Sequence, residues 1–442
     1  MQTSIEQQTY LNTNKSQMQK LNNALAFLLA FCCLTPSFSL KTSITMAIIV
    51  MWFASIIIGK YMINALNSTR VYMYLGLLGF LLITIIIIVI RPDMNSGGLY
   101  TGLLTSVICL ETLRNNLINR DVSALKNVAL FSIVIYVLVL ARALIIGGTN
   151  TDVYRLNKSS GVMNETIGNF GIYYSAVFTF PIGMFFLINK KSKKKILSLA
   201  LMGVSFVLLI FAQYTISFIV EISILLIWLI LAKTKDDKRL RILLLILIAV
   251  FIIVLVMFAE ELLAQPLTSL VETLPKNSPI RQRLADVIRT LRGDITEGNL
   301  AVDRLTRYRD SMVNFLKNPL LGSNVLIALG GDASYLVGKP GHNSLIEIFS
   351  QYGLIFALPY YIAMFSLLNR MLKVWKKVYR KFYVLMVSIV TGYFLLALLN
   401  PIFNLFAMTW LIFNAIILLP LVFCDKQMSQ KVYDELRSIG KL

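Results

Sequence analysis

His342 is the only histidine in the 442-residue chain, and it stands in the polar run Gly341-His342-Asn343-Ser344 just ahead of an apolar stretch. An unperturbed imidazole, with a pKa of about 6.5, is mostly neutral at pH 7 and can accept a proton from an attacking hydroxyl. The plainer reading is a solvated loop residue beside a helix start. Ser344-Leu345-Ile346-Glu347 has the spacing of a capping box. That pattern opens a helix by itself, so Glu347 needs no chemistry to explain it. Helix N-termini also attract anions through their unpaired N–H groups and the macrodipole. His342 and Asn343 are therefore candidates to meet a phosphate-bearing substrate.

Arginines supply the complementary chemistry, because a planar guanidinium binds phosphate or carboxylate in two-pronged fashion. Arg304 and Arg307 lie in Asp303-Arg-Leu-Thr-Arg-Tyr-Arg-Asp310. Pairing with Asp303 or Asp310 on an exposed helix is the alternative there. Arg155 lies in a second polar interval, 148 to 167, where anchoring at the headgroup level competes with ligand binding. Arg142 and Glu221 fall inside apolar runs, where charge is costly and is either paired or functional. A structural Arg142–Glu221 ion pair and the lining of a substrate cavity are both open.

These groups must be held by a membrane-embedded frame. Hydrophobic residues make up 57% of the chain, charged residues 14%, and the mean hydropathy is +0.73. Soluble globular proteins do not have that balance. Runs such as 73–90 and 241–258 reach the roughly 20 apolar residues that cross a bilayer as a helix. No alternating-strand pattern supports a β-barrel.

The predicted fold class is an all-α polytopic membrane protein of about 12 transmembrane helices, with one large extracytoplasmic loop containing short helices. The spans are expected at 22–40, 43–62, 71–90, 97–113, 127–147, 168–189, 196–212, 214–232, 241–258, 344–369, 382–399 and 402–423. This divides the chain into 1–258 with helices 1–9, a loop domain at 259–343, helices 10–12 over 344–423, and a cytoplasmic tail at 424–442. The polar start shows no pattern of a removable signal peptide. With both termini cytoplasmic, the lysine-rich loops at 189–195, 232–241 and 369–381 fall inside, as the positive-inside rule demands. The net charge of +20 is then orientation signal, and nucleic acid is not expected as a partner. Within 259–343, Leu284, Val287, Ile288 and Leu291 recur at helical spacing and predict an amphipathic helix on the membrane surface. A second helix is expected over 302–317, with Leu305, Tyr308, Met312, Phe315 and Leu316 on its apolar face and a stop at Asn318-Pro319. Cys32, Cys33, Cys109 and Cys424 have neither metal-ligand spacing nor a framework for disulfides and are read as packing residues; no cofactor is expected.

Arg304 stands fifteen residues before Pro319-x-x-Gly322, and His342-Asn343-Ser344 leads into Leu345-x-Glu347 and then Gly353-Leu354. That arrangement resembles the O-antigen ligase and polymerase family of bacterial surface-polysaccharide enzymes. The likeness is specific over about 300–365. Arg155 and Gly161, with Asn164 nearby, are similar to the family's earlier outer-loop motif. The family's Ser-Arg at the start of the eighth span is replaced here by Ser217-Phe218, and Glu221 has no family counterpart.

The resemblance implies a metal-independent glycosyltransferase of the bacterial cytoplasmic membrane. Its donor would be an undecaprenyl-diphosphate-linked oligosaccharide, with His342 catalytic and Arg304 and Arg155 on the diphosphate. Arg307, Asn343, Glu221 and Arg142 are the further candidate substrate contacts. Membrane lipids, a chain-length regulator and a flippase are the other expected partners. Polymerisation of repeat units into a capsular, exopolysaccharide or O-antigen chain is the leading expectation, and ligase-type transfer of a finished glycan to another acceptor is its nearest rival. A lipid-linked sugar transporter belongs to a different class; it predicts interrupted midplane helices and polar groups spread through several spans.

Overall fold

The computed structural model describes residues 20–36, 122–148, 170–189, 194–212, 215–233, 265–275, 300–323, 343–400 and 406–424, together with scattered positions at 44–55, 82, 281–288, 326, 402 and 427–435. Among the described residues every regular element is helical. We number them α1 (Lys20–Leu34), α2 (Val122–Gly147), α3 (Phe170–Ile188), α4 (Lys195–Ala212), α5 (Thr215–Lys233), α6 (Gln265–Thr273), α7 (Leu300–Lys317), α8 (Ser344–Val378) and α9 (Arg380–Leu399). The last helix, α10, is composite: Phe406–Trp410, a π turn at Leu411–Ala415, a tighter turn at Ile416–Leu418, and Leu419–Phe423.

Among the described residues five segments are long and apolar enough to cross a bilayer: Leu125–Gly147, Gly171–Ile188, Ile216–Lys233, Ser344–Val378 and Arg380–Leu399. Shorter apolar helices occupy Lys20–Leu34, Lys195–Phe211 and Ala407–Phe423. The chain is thus an all-α membrane protein. The spans expected at 71–90, 97–113 and 241–258 lie outside the described residues, save for a single helical position at Leu82, and the one at 43–62 is described only at scattered helical positions.

In a bilayer every backbone polar group must be satisfied within the protein, so polar side chains between helices pair closely. Tyr136 of α2 donates to the Ile172 carbonyl at 3.1 Å, and Ser175 donates to the Tyr136 hydroxyl at 2.9 Å. Thr179 of α3 and Ser205 of α4 share a hydrogen bond of 2.8 Å. The Trp410 indole donates to Ser132 at 2.9 Å, tying α10 to α2. The Trp375 indole of α8 donates to the Ile417 carbonyl at 2.9 Å. That carbonyl lies just past the π turn, where irregular winding frees acceptors. At the end of α3, the Lys195 ammonium donates to the carbonyls of Phe186 at 2.9 Å, Leu187 at 2.5 Å and Asn189 at 2.6 Å.

Ring contacts fix the directions of the central helices. Phe185 of α3 lies 5.9 Å from Phe382 of α9, and Phe178 lies 6.1 Å from Tyr393. Phe185 also meets Trp228 of α5 at 6.1 Å, while Gly392 of α9 abuts Val220 and Ile224. Hence α3 and α5 run parallel, and α9 runs antiparallel to both. On the other side of α9, Trp375 meets Phe382 at 5.4 Å and Phe365 stacks on Phe394 at 4.9 Å.

The tenth span, expected as a single helix over 344–369, requires a correction. The helical segment α8 has 35 residues. At a rise of about 1.5 Å per residue a straight helix of that length would reach about 52 Å. The hydrocarbon core of a bilayer is only about 30 Å thick. Instead α8 breaks at Gly353, whose backbone is at φ 63°, ψ −178°. A short arm, 344–352, folds back along a long arm, 354–378. Phe349 stacks on Tyr361 at 4.9 Å and the Tyr361 hydroxyl donates to the Leu345 carbonyl at 2.9 Å. Those rings would be about 18 Å apart in an unbroken helix.

Candidate functional site

The segments expected to carry chemistry meet where α7 packs on the folded α8. After α7 ends, the chain turns through Asn318-Pro319 as expected, and the Pro319 and Leu320 carbonyls accept hydrogen bonds from Leu354 N at 2.8 Å and Ile355 N at 3.1 Å. These N–H groups begin the long arm and have no acceptor within it, so the α7 turn caps the helix. Gly322, at φ 74°, lies directly against Gly353. A Cβ on Gly322 would run into the Gly353 nitrogen and the Gln351 carbonyl, and one on Gly353 into the Leu320 carbonyl. Both glycines are needed for conformation and for backbone contact. Ser323 donates to the Ser350 carbonyl at 3.2 Å, and Phe315 meets Phe349 at 5.9 Å.

The short arm starts at Ser344, yet Asn343 is its cap. The Asn343 side-chain oxygen accepts from Leu345 N and Ile346 N, both at 3.0 Å, and the residue is only 2% exposed. The expected capping box on Ser344 and Glu347 is thereby corrected by one residue. Ser344 serves elsewhere: it donates to the Asn400 carbonyl at 3.2 Å, joining the short arm to the end of α9. Buried Glu347 accepts from Gln351 Nε2 at 2.8 Å, with the Arg307 guanidinium close enough to act on its charge. Asn343, expected as a substrate contact, has its carbonyl-type oxygen committed to the cap.

The remaining expected residues divide as follows. His342 and Arg155 lie outside the described residues, and so do Val287 and Leu291 of the expected surface helix. Arg304 is on α7, with its side chain outside the description, while Arg307 is half-buried. The Arg142–Glu221 ion pair is not formed: Arg142 is exposed, and both Glu221 carboxylate oxygens lack a hydrogen-bond partner among the described residues. Glu221 is 6% exposed on the one buried stripe of α5, with Ser217, Val220 and Ile224. Ser217 Oγ is likewise buried without a partner among the described residues. Among the described residues no three of His, Cys, Asp and Glu come together.

Sequence reasoning missed the cap at Asn343, although asparagine is among the strongest N-cap residues. It also missed what Gly322 and Gly353 do. Their signal was present in the motif itself, two glycines beside Pro319 and Leu354, without indication that they touch.

Compared with known protein families the chain matches none, and compared with curated proteins it likewise matches none.

Proposed function

We propose that the protein is a membrane glycosyltransferase that polymerises undecaprenyl-diphosphate-linked oligosaccharide repeat units at the outer face of the bacterial cytoplasmic membrane. The observation that supports this reading most is the packing of α7 on α8. The two stretches that resemble the O-antigen ligase and polymerase family are distant in sequence, yet their described parts, 303–322 and 343–355, form one backbone-locked unit. The reading keeps twelve spans, cytoplasmic termini and a late extracytoplasmic loop.

In this reaction the donor carries its own leaving group. His342 takes the proton from the acceptor sugar hydroxyl as the oxygen bonds to the anomeric carbon. The bond from that carbon to the lipid diphosphate breaks, and the diphosphate leaves with the electron pair. Arg304 and Arg155 stabilise the charge gathering on its oxygens. Arg307 and Asn343 are further candidate contacts for the donor.

Reconstitution of the purified protein with undecaprenyl-diphosphate repeat units tests the reading. A ladder of products supports polymerisation, and a single transfer to an added acceptor supports a ligase. Movement of intact lipid with no new glycosidic bond overturns both. His342→Ala is expected to abolish transfer while membrane insertion survives; undiminished turnover would remove His342 from the reaction.

A further inference from the structure

α7 is built the wrong way round for a helix in water. An amphipathic helix on a soluble surface turns its apolar side inward and its polar side to solvent. Here Ser311 and Asn314 are fully buried where α7 packs on α8, whereas Met312 is 41% exposed, Leu316 66% and Leu320 60%. Met312 and Leu316 stand one turn apart on the same side of α7, and Leu320 is exposed in the turn that follows the helix.

This exposed surface continues into the exposed apolar side of a membrane-spanning helix. Leu320 is hydrogen-bonded through its carbonyl to Ile355, and Leu354 and Ile355 open the exposed side of the long arm, which runs on to Phe365. The apolar stretch of that arm extends from Leu354 to the residue before Arg370. At about 1.5 Å per residue it is about 24 Å long. A hydrocarbon core is about 30 Å thick. The exposed residues of the α7 side adjoin the arm at its Gly353 end and extend its apolar surface there. Close to one turn before Met312 on the same side stands exposed Arg309, whose long side chain suits the headgroup level.

We infer that the Met312–Leu316 side of α7 and the turn after the helix are inserted in the bilayer, with Met312, Leu316 and Leu320 against lipid chains and Arg309 among headgroup phosphates. The helix that carries Arg304 and Arg307 is thereby an anchored part of the membrane surface. This does not depend on the proposed reaction.

The test is site-directed spin labelling in nanodiscs of phosphatidylglycerol and phosphatidylethanolamine, using Thr306→Cys, Arg309→Cys, Met312→Cys, Leu316→Cys and Leu320→Cys. The unsubstituted protein gives the background from its native cysteines. At 312, 316 and 320 collisions with lipid-soluble oxygen are expected to exceed those with a water-soluble nickel chelate severalfold, with the ratio rising toward 320. The ratio should reverse at 306 and pass through its crossover near 309. Equal or greater access of the chelate at 316 and 320 would overturn the inference. Exclusion of both reagents at all three positions would overturn it too, because it would mean that protein covers them.

Discussion

Replacing Gly353 by alanine should separate the two things that glycine does. Its backbone lies at φ 63° and ψ −178°. That region is essentially glycine-only and costs an L-residue about 1–3 kcal/mol. The new methyl would also strike the Leu320 carbonyl, which is backbone and cannot swing aside. Relief requires α7 to move away, and that movement lengthens the bonds from Leu354 N to Pro319 O and from Ile355 N to Leu320 O. Each is worth about 1 kcal/mol net, more if the donors stay buried. The total expected loss is about 3–5 kcal/mol. Gly148→Ala is the internal control: its φ is 53°, but a Cβ there meets nothing within 4 Å. It should lose only the conformational part, about 1–2 kcal/mol. Reversible unfolding in mixed micelles, followed by tryptophan fluorescence, measures both, and Gly322→Ala should resemble Gly353→Ala. A Gly353→Ala loss no greater than that of Gly148→Ala would refute the argument that contact between the two glycines holds α7 on α8.

Asn343→Ala should destabilise by about 1–2 kcal/mol, the usual cost of losing a side-chain cap. Asn343→Asp should stay near the parent, because an aspartate retains the acceptor for Leu345 N and Ile346 N; thermal unfolding in detergent distinguishes the two. Glu221→Met should raise the unfolding midpoint, since it removes a buried carboxylate with no partner among the described residues. A lowered midpoint would mean that something does satisfy Glu221. Lys194 is held below the usual lysine pKa, first by burial and then by the neighbouring charge of Lys126. Its charged form is therefore disfavoured in the folded state, and the penalty is present at neutral pH and fades as pH rises toward the unfolded value of about 10.4. Lys194→Gln should be more stable than the parent at pH 7, with the difference shrinking by about pH 10 in the same unfolding assay.

How much of this was legible in the sequence depended on whether a signal lay in composition or in contact. The apolar runs at α2, α3, α5 and α9 announced themselves, because a bilayer imposes a length that no soluble core requires. The break in α8 did not. A lone glycine inside an apolar run is ordinarily tolerated in a helix at about 1 kcal/mol. Gly353 therefore looked innocuous until Leu320 was seen against it. Helical spacing in 302–317 located α7 well and grouped Met312 and Leu316 with Phe315 as one apolar face. Periodicity finds a stripe without saying what lies outside it, and here Phe315 faces Phe349 while Met312 and Leu316 are exposed. Asparagine and serine are nearly equal as caps. The choice between Asn343 and Ser344 was settled by Asn400, a residue 56 positions away that takes the Ser344 hydroxyl.

The Lys195 ammonium at the turn between α3 and α4 has a consequence for how the chain enters the membrane. Its three contacts are carbonyls at the end of α3. That end is the negative pole of the helix, so a cation completes it there. A lysine beside a span ordinarily biases which side of the bilayer the loop stays on. At Lys195 a share of that bias and the closing of the hairpin fall on the same group. A hairpin threaded the wrong way would have to drag this cation through hydrocarbon and would leave the end of α3 bare while doing so. Lys195 therefore links the closing of the hairpin to a bias that it shares with the other lysines of 189–195.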